Sequence, residues 1–297
     1  MLLGPAEMRY FGHSGLKAIR PARPLRILIL TSLRDVVGYE RNGSTIQTNH
    51  GERYMVGLIE HTVRQTLPQG QLYGLVEVVG VATDDRQHEP NLPDTFPRVP
   101  TTGFPWIHSK DLKGPDGRLI TTITTNIPSC FRSLSKGELL ARREAKLRFE
   151  GRILDLMDRI GADLLVSYHY MAKLEFVFPP RMQFGLVLNI HPAIAVKNHP
   201  FCFRGPVPVN DAIERARQNG GEVYTGATLH VVDEDWDSGP VIAYADNTPV
   251  FAQDNIPTLI YRNHATELRV FTAGLKHYSQ RIHPHLSGAN LCNLAEV

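Results

Sequence analysis

Four short runs, LRILILT at 25–31, LVEVVGVA at 75–82, ADLLVSY at 162–168 and GLVLNI at 185–190, are apolar at nearly every position. A strand with one wet face alternates apolar and polar side chains, so unbroken Val, Ile and Leu require cover on both faces, as in a parallel sheet between helices. Between the first two runs Met55, Leu58, Ile59 and Val63 recur at helical spacing, which predicts a helix over 51–66 and a right-handed β-α-β start. Leu139, Ala145, Phe149, Ile153, Leu156 and Ile160 mark a helix over 138–160, with Gly161 placed to end it. Pro208 to Gln218 suits a short helix, 226–232 and 239–245 suit strands, and Pro257 opens a long helix to about Arg281. The alternation predicts an α/β fold that is Rossmann-like: a mostly parallel twisted sheet with helices on both faces, plus an insertion and a long C-terminal helix.

The 297 residues, 42% hydrophobic and 21% charged, suit one domain over 25–297. Residues 1–24 show little periodicity and are read as an extension outside the fold. Residues 85–137, with Pro90, Pro93, Pro97, Pro100, Pro105, Pro115 and Pro128, are read as an insertion, β-prone only around 119–127. A net charge of +2 provides no field for nucleic acid or an anionic membrane. Cys130, Cys202 and Cys292 are odd in number, far apart and without a CxxC, which fits a reducing cytoplasm and no structural zinc.

Ligands of open α/β sheets bind outside the carboxyl ends of the strands. There the sequence places His169-Tyr170-Met171 after one run and Asn189-Ile190-His191-Pro192 at the end of another, with an acidic loop, Asp233 to Asp237, further on. Asn189 and His191, two apart on a strand, share a side-chain direction. On spacing alone the commoner readings are a structural histidine and a solvated turn.

Three separated motifs, NIHP at 189–192, FRGPVPVNDAI at 203–213 and TGATLHVVDEDWDSGPVI at 225–242, together resemble the formyltransferase superfamily that uses 10-formyltetrahydrofolate, to which glycinamide ribonucleotide and methionyl-tRNA transformylases belong. The resemblance covers roughly 160–250, extends weakly over the first two strands and says little about 85–137. It implies that Asn189, His191 and Asp237 are catalytic. Asn189 and a protonated His191 would then donate to the oxyanion formed when an amine attacks the formyl carbon, and Asp237 would assist proton transfer. It further implies a folate pocket made by Tyr170, Met171 and Leu174 with backbone groups of Val232, Asp233, Glu234 and Asp235, and no metal; plain core packing suits those side chains equally well. His230 reads as a supporting buried histidine, with His169 similarly ambiguous. For the acceptor, Arg204 sits in an RGPVP segment resembling the RGAAP of tRNA transformylases, and Arg34 and Asp35 lie at the mouth of the first strand; a solvated surface is the bland alternative for all three. Two departures, Ala193 where a serine is common and a longer 194–203 loop, bear on the acceptor pocket.

Differences within the superfamily then separate the acceptors. The short stretch after the last predicted helix leads to the expectation that the C-terminal barrel of tRNA transformylases is lacking, and the unpatterned stretch before Leu25 to the expectation that the regulatory domain of 10-formyltetrahydrofolate hydrolases is lacking too. The first strand is followed by TSLRDVVG rather than a glycine-rich phosphate loop, which disfavours a phosphorylated ribonucleotide. SLRDVVG, YHYMAKLE and NIHPAIAVKNHPFCFRG most resemble the hydroxyornithine transformylases of pyoverdine-type siderophore pathways, so the expected acceptor is N5-hydroxyornithine or another small amine or hydroxylamine. An amino sugar nucleotide, glycinamide ribonucleotide or hydrolysis of the folate are the alternatives, with a folate-binding pseudoenzyme as the non-catalytic one. A dinucleotide oxidoreductase is set aside because no GxGxxG follows a strand. Oligomeric state is not legible in the sequence.

Overall fold

The computed structural model describes residues 8–10, 23–31, 45–48, 51–54, 56–84, 112–132, 134–170, 172–205, 207–219 and 222–283. In chain order the first half gives β1 (Arg9–Tyr10), β2 (Leu25–Thr31), β3 (Thr45–Thr48), β4 (Gly51–Tyr54), α1 (Leu58–Thr66), β5 (Val76–Thr83) and β6 (Thr124–Asn126). The second half gives α2 (Leu139–Ile160), β7 (Leu164–Tyr168), α3 (Pro179–Gln183), β8 (Val187–His191), α4 (Pro208–Asn219), β9 (Val223–Val231), β10 (Val241–Val250) and α5 (Ile256–His277). Eight strands form one sheet in the order β1-β10-β9-β8-β7-β2-β5-β6, while β3 and β4 pair separately. The run from β8 to β6 is parallel throughout; β8-β9, β9-β10 and β10-β1 are antiparallel.

Both faces of the parallel half are covered, as unbroken apolar strands require. Ile27, Ile29, Val81, Val166 and Ile190 pack with Leu58 and Val63 of α1 and Val270, Phe271 and Leu275 of α5. The alternate residues Leu28, Leu30, Ala82, Leu165 and Val187 pack with Phe149, Ile153, Leu156 and Met157 of α2. That helix ends where expected, at Gly161, whose φ of 64° lies in the left-handed region that a side chain resists.

The structure departs from the sequence reading in three places. The helix expected over 51–66 begins only at Leu58, because Gly51–Tyr54 pairs with Thr45–Thr48 and so commits its amides to a ladder instead of a helix. Arg9 and Tyr10, set outside the fold on pattern, pair with Tyr244 and Ala243 as an edge strand, and Arg9 Nη1 reaches Asp246 Oδ2 at 3.1 Å. Part of the 85–137 segment belongs to the sheet: the β-branched Thr124 and Thr125, with Asn126, extend it beside β5. Residues 85–111 lie outside the described residues.

Candidate active site

The carboxyl end of β8 presents Asn189 and His191 on one side of the sheet, two residues apart as the strand period requires. Asn189 is the register partner of His230 on β9, and His191 that of Thr228. Thr228 Oγ1 accepts from Ala195 N and donates to Ala193 O, both at 2.9 Å, while Asn263 of α5 donates to Pro192 O at 2.9 Å and Gly226 O at 2.7 Å. These buried bonds fix the chain on either side of the His191 ring.

Asp237 arrives from the turn between β9 and β10. Its φ of 50° is left-handed, a strained conformation for an aspartate that the surrounding turn must hold. Ser238 Oγ donates to both carboxylate oxygens of Asp233 at 2.8 Å, and Val231 N donates to Pro240 O at 2.9 Å. Gly239 lies so close to Val231 O that a Cβ there would overlap the carbonyl. The Ser-Gly-Pro sequence therefore has a mechanical cause.

The result is a tight cluster. Asp237 Oδ2 stands 3.3 Å from His191 Nδ1 and accepts from Gly205 N at 3.0 Å; Oδ1 accepts from Asn189 Nδ2 at 3.2 Å and lies 3.4 Å from His230 Nε2. Burial alone would raise the Asp237 pKa. The hydrogen bond from His230, the His191 and His230 charges and the Gly205 amide outweigh it and hold the carboxyl down to about 2, so it is ionised at neutral pH.

His191 departs from expectation. Its Nε2 faces Phe203 O at 2.7 Å, and a carbonyl can only accept, so Nε2 carries a proton that is already committed. Burial pushes the ring pKa below 6.5, against the opposing pull of Asp237, so a protonated His191 donating into the reaction is not what the geometry presents. Asn189 is better placed. His230 Nδ1 donates to Val231 O at 2.9 Å, which holds the ring with Nε2 3.2 Å from Asn189 Nδ2 and 3.4 Å from Asp237 Oδ1. That nitrogen and Asp237 Oδ1, 3.4 Å apart, subtend about 60° at the amide nitrogen, half the roughly 120° between its two N–H bonds. The N–H that goes to Asp237 Oδ1 lies on that side, leaving the other for the cleft.

Two concave spaces meet here. A cleft of about 260 Å³ lies toward α4 and α5, and a narrower slot lies toward Leu174 and Val232; Tyr170, Asn189, Trp236 and Asp237 line both. Of the sequence-predicted folate residues, Tyr170, Leu174, Val232, Asp233 and Asp235 line the slot, whereas Glu234 contributes its carbonyl to Lys173 Nζ at 2.7 Å. Tyr170 is also stacked on Phe149 at 5.7 Å, so it belongs to the core as well. Met171, Arg34 and Asp35 lie outside the described residues. Arg204 is not brought to the cleft: its Nε and Nη2 donate to Ala195 O at 3.1 and 2.9 Å.

The far wall of the cleft holds two residues that the sequence reading missed, Glu267 and His264, beside His169, which it had singled out. Glu267 of α5, 3% exposed, has His264 Nδ1 at 3.1 Å and His169 Nε2 at 3.5 Å, and all three line the cleft. His169 is held at a left-handed φ of 51°. The available signal was the run Asn263-His264-Ala265-Thr266-Glu267 within a helix whose buried face is otherwise largely apolar. Among the described residues no group of three or more His, Cys, Asp or Glu is arranged to hold a metal ion, and no helix is long and apolar enough to cross a membrane.

Comparison with known proteins agrees with this architecture. The phosphoribosylglycinamide formyltransferase of Haemophilus influenzae is 28% identical over 134 residues, covering 45% of this chain and 58% of its own. The formyltetrahydrofolate deformylase of Corynebacterium sp. strain P-1 is 35% identical over 103 residues, 34% of this chain and 32% of its own. The chain thus spans at most about half to three fifths of the length of these curated relatives. Among solved structures, PvdF of pyoverdin biosynthesis, described as an N10-formyltetrahydrofolate-dependent formyltransferase, superposes with a TM-score of 0.69 at 24% identity, covering 86% of this chain and 98% of that one. Glycinamide ribonucleotide transformylase 1 of Symbiobacterium toebii gives 0.53 at 17% identity over 90% of this chain and 92% of that one. At such identities the likeness is one of fold. The sequence pattern of the formyl transferase family matches residues 113–275, from the stretch leading into β6 to the last turn of α5, and with it this chain belongs to the formyl transferase family.

Proposed function

We propose that this chain transfers the formyl group of 10-formyltetrahydrofolate to a small amine or hydroxylamine, N5-hydroxyornithine above all, in siderophore biosynthesis. The observation that carries the reading is the meeting of cleft and slot at Asn189 and Asp237, so that a donor in one and an acceptor in the other would touch across the same two side chains. The slot suits a flat heterocycle: Leu174 and Val232 supply apolar walls, and the Asp233 to Asp235 turn supplies polar groups at its rim. On this reading the free N–H of Asn189 donates to the formyl oxygen as negative charge develops there. The acceptor nitrogen bonds to the formyl carbon, the bond from that carbon to N10 breaks, N10 gains a proton and the acceptor nitrogen loses one. Asp237, ionised and tied to His191, His230 and Gly205, receives that proton through water or offsets the positive charge on nitrogen.

An N-hydroxylated amine keeps its lone pair free at neutral pH, which matches a site whose carboxylate is too weak a base to deprotonate an alkylammonium. Glu267, with His169 beside it, would face the amino-acid end of such an acceptor and pair with its ammonium. PvdF, similar in fold over nearly its whole length, is a formyltransferase of pyoverdin biosynthesis, which supports a siderophore setting. A cytoplasmic, metal-independent enzyme acting as one domain, with Arg9–Tyr10 as its edge strand, goes with this proposal, with neither nucleic acid nor membrane as partner. Hydrolysis of the folate is the second reading, favoured by the 35% identity to the deformylase. Incubation with 10-formyltetrahydrofolate and a panel of N5-hydroxyornithine, ornithine, glycinamide ribonucleotide and an amino sugar nucleotide separates them. A formylated hydroxamate is expected; free formate at the same rate without acceptor would replace the first reading by the second.

A further inference from the structure

Glu267 is 3% exposed, and among the described residues no lysine or arginine pairs with it. A carboxylate so deep in a protein needs a countercharge, and the groups beside it are histidines. His264 Nδ1, one turn back along α5, stands 3.1 Å from Oε2; His169 Nε2 stands 3.5 Å from Oε1, which accepts no hydrogen bond.

The other nitrogen of His264 sets the protonation state of the ring. Nε2 lies 2.7 Å from Val56 O, in the segment that leads into α1, and a carbonyl can only accept, so Nε2 carries a proton. A neutral imidazole has one N–H. Nδ1 and Glu267 Oε2 would then face each other as two bare acceptors at 3.1 Å, a contact that needs a second proton between them. That proton belongs to the stronger base, because a free imidazole takes up a proton about two pH units above a free carboxyl group. The pair is therefore an imidazolium against a carboxylate, neutral as a whole.

The surroundings agree. The titratable groups facing the pair are His61 from α1, His169 from the end of β7 and His191 from β8. His61 Nε2 is engaged with Thr272 Oγ1 at 2.9 Å, and burial together with the charge of His264 pushes its pKa down to about 4. His191 is engaged by Phe203 O and Asp237. Neither ring takes the place of His264 at Glu267, and the bond to Oε2 leaves Oε1 on the side of His169, in the wall of the cleft.

We propose that His264 is a positioning residue for the acceptor: a standing imidazolium, latched to Val56 O, that keeps Glu267 ionised and sets Oε1 beside His169 to receive the α-ammonium of an amino-acid acceptor. The inference rests on the acceptor reading above and deepens it, because the charge of that subsite then depends on a residue acting through Glu267.

The first arm of the test needs no substrate. Full-length protein isotopically labelled at the histidine nitrogens, in spectra that correlate ring nitrogens with carbon-bound ring protons, should show both His264 nitrogens protonated at neutral pH. The His264 signals are identified by their loss in His264→Gln. In Glu267→Gln the same ring should carry one bare nitrogen, since the carboxylate that retains the second proton is gone. One bare nitrogen in the wild type, or an imidazolium that survives in Glu267→Gln, would overturn the inference. The second arm is kinetic, with N5-hydroxyornithine as acceptor and 10-formyltetrahydrofolate saturating. His264→Gln keeps a donor but no charge, so the acceptor KM should rise roughly tenfold, as for a weakened charged hydrogen bond, while the folate KM holds. An acceptor KM that does not move would overturn the positioning role. Absence of turnover with N5-hydroxyornithine while the imidazolium signature holds would remove the acceptor reading and the ammonium's part here; a missing signature with turnover intact would remove this inference alone.

Discussion

Asn189 and His230 are register partners across β8 and β9, and their side chains meet at 3.2 Å within reach of Asp237 Oδ1. His230 Nδ1 donates to Val231 O, which holds the ring against the amide and so positions it. His230→Ala should lower kcat by up to about 100-fold, as expected when a reacting group is misplaced by about an ångström. His230→Gln, which keeps a hydrogen-bonding side chain beside the amide, should recover part of it. Equal loss in both variants would deny the orienting role.

Asn189→Ala removes the one N–H left for the cleft. Turnover should fall about 100- to 1,000-fold with little change in the KM for folate, the signature of a donor that acts in the transition state. A change confined to KM would assign Asn189 to ground-state binding.

Glu267→Gln keeps shape and removes charge from the far wall of the cleft. If Glu267 pairs with the acceptor's ammonium, the acceptor KM should rise about 10- to 100-fold while the folate KM holds, in line with a buried charged hydrogen bond. An acceptor lacking the α-amino group should be insensitive to the change. Loss of folate binding instead would place the effect elsewhere.

Two groups with large shifts contribute to the acid side of the stability profile, alongside His191, His283 and Asp163, whose pKa values are also lowered. Asp237, held down to about 2 chiefly by His230 and His191 against the effect of burial, gives stability that is present above pH 3.8 and is lost as pH falls through about 2. His61 is pushed down to about 4 by burial and by the neighbouring His264. Its ring binds a proton more readily when unfolded, so stability falls as pH drops from 6.5 toward 4, by about 2 kcal/mol once solvent access to the ring is allowed for. Chemical denaturation from pH 7 to 4 should show this slope, and His61→Asn should lessen it. An unchanged slope would assign the titration to other histidines.

Gly239→Ala should reduce both stability and activity, since the added Cβ overlaps Val231 O and must displace the turn that carries Asp237. Activity falling further than the thermal midpoint would be expected, because Asp237 moves before the sheet opens.

The parallel half of the sheet was legible because its strands are buried on both faces, and unbroken apolar runs have few other solutions. Leu25–Thr31 and the stop at Gly161 agree with the structure almost residue for residue. Elements governed by distant pairing were not legible: Gly51–Tyr54 has no pattern until Thr45–Thr48 lies beside it, and Arg9–Tyr10 is a strand only because β10 offers an edge. The residue types at Asn189, His191 and Asp237, with their motif order, were in the sequence. What only the tertiary structure decided is which atoms they turn to one another: the His191 Nε2 proton goes to Phe203, Arg204 turns to Ala195, and α5 brings Glu267 across the cleft. Strand period and burial are local properties of a sequence, whereas a hydrogen-bond partner is set by whichever donor or acceptor the folded chain places within about 3 Å.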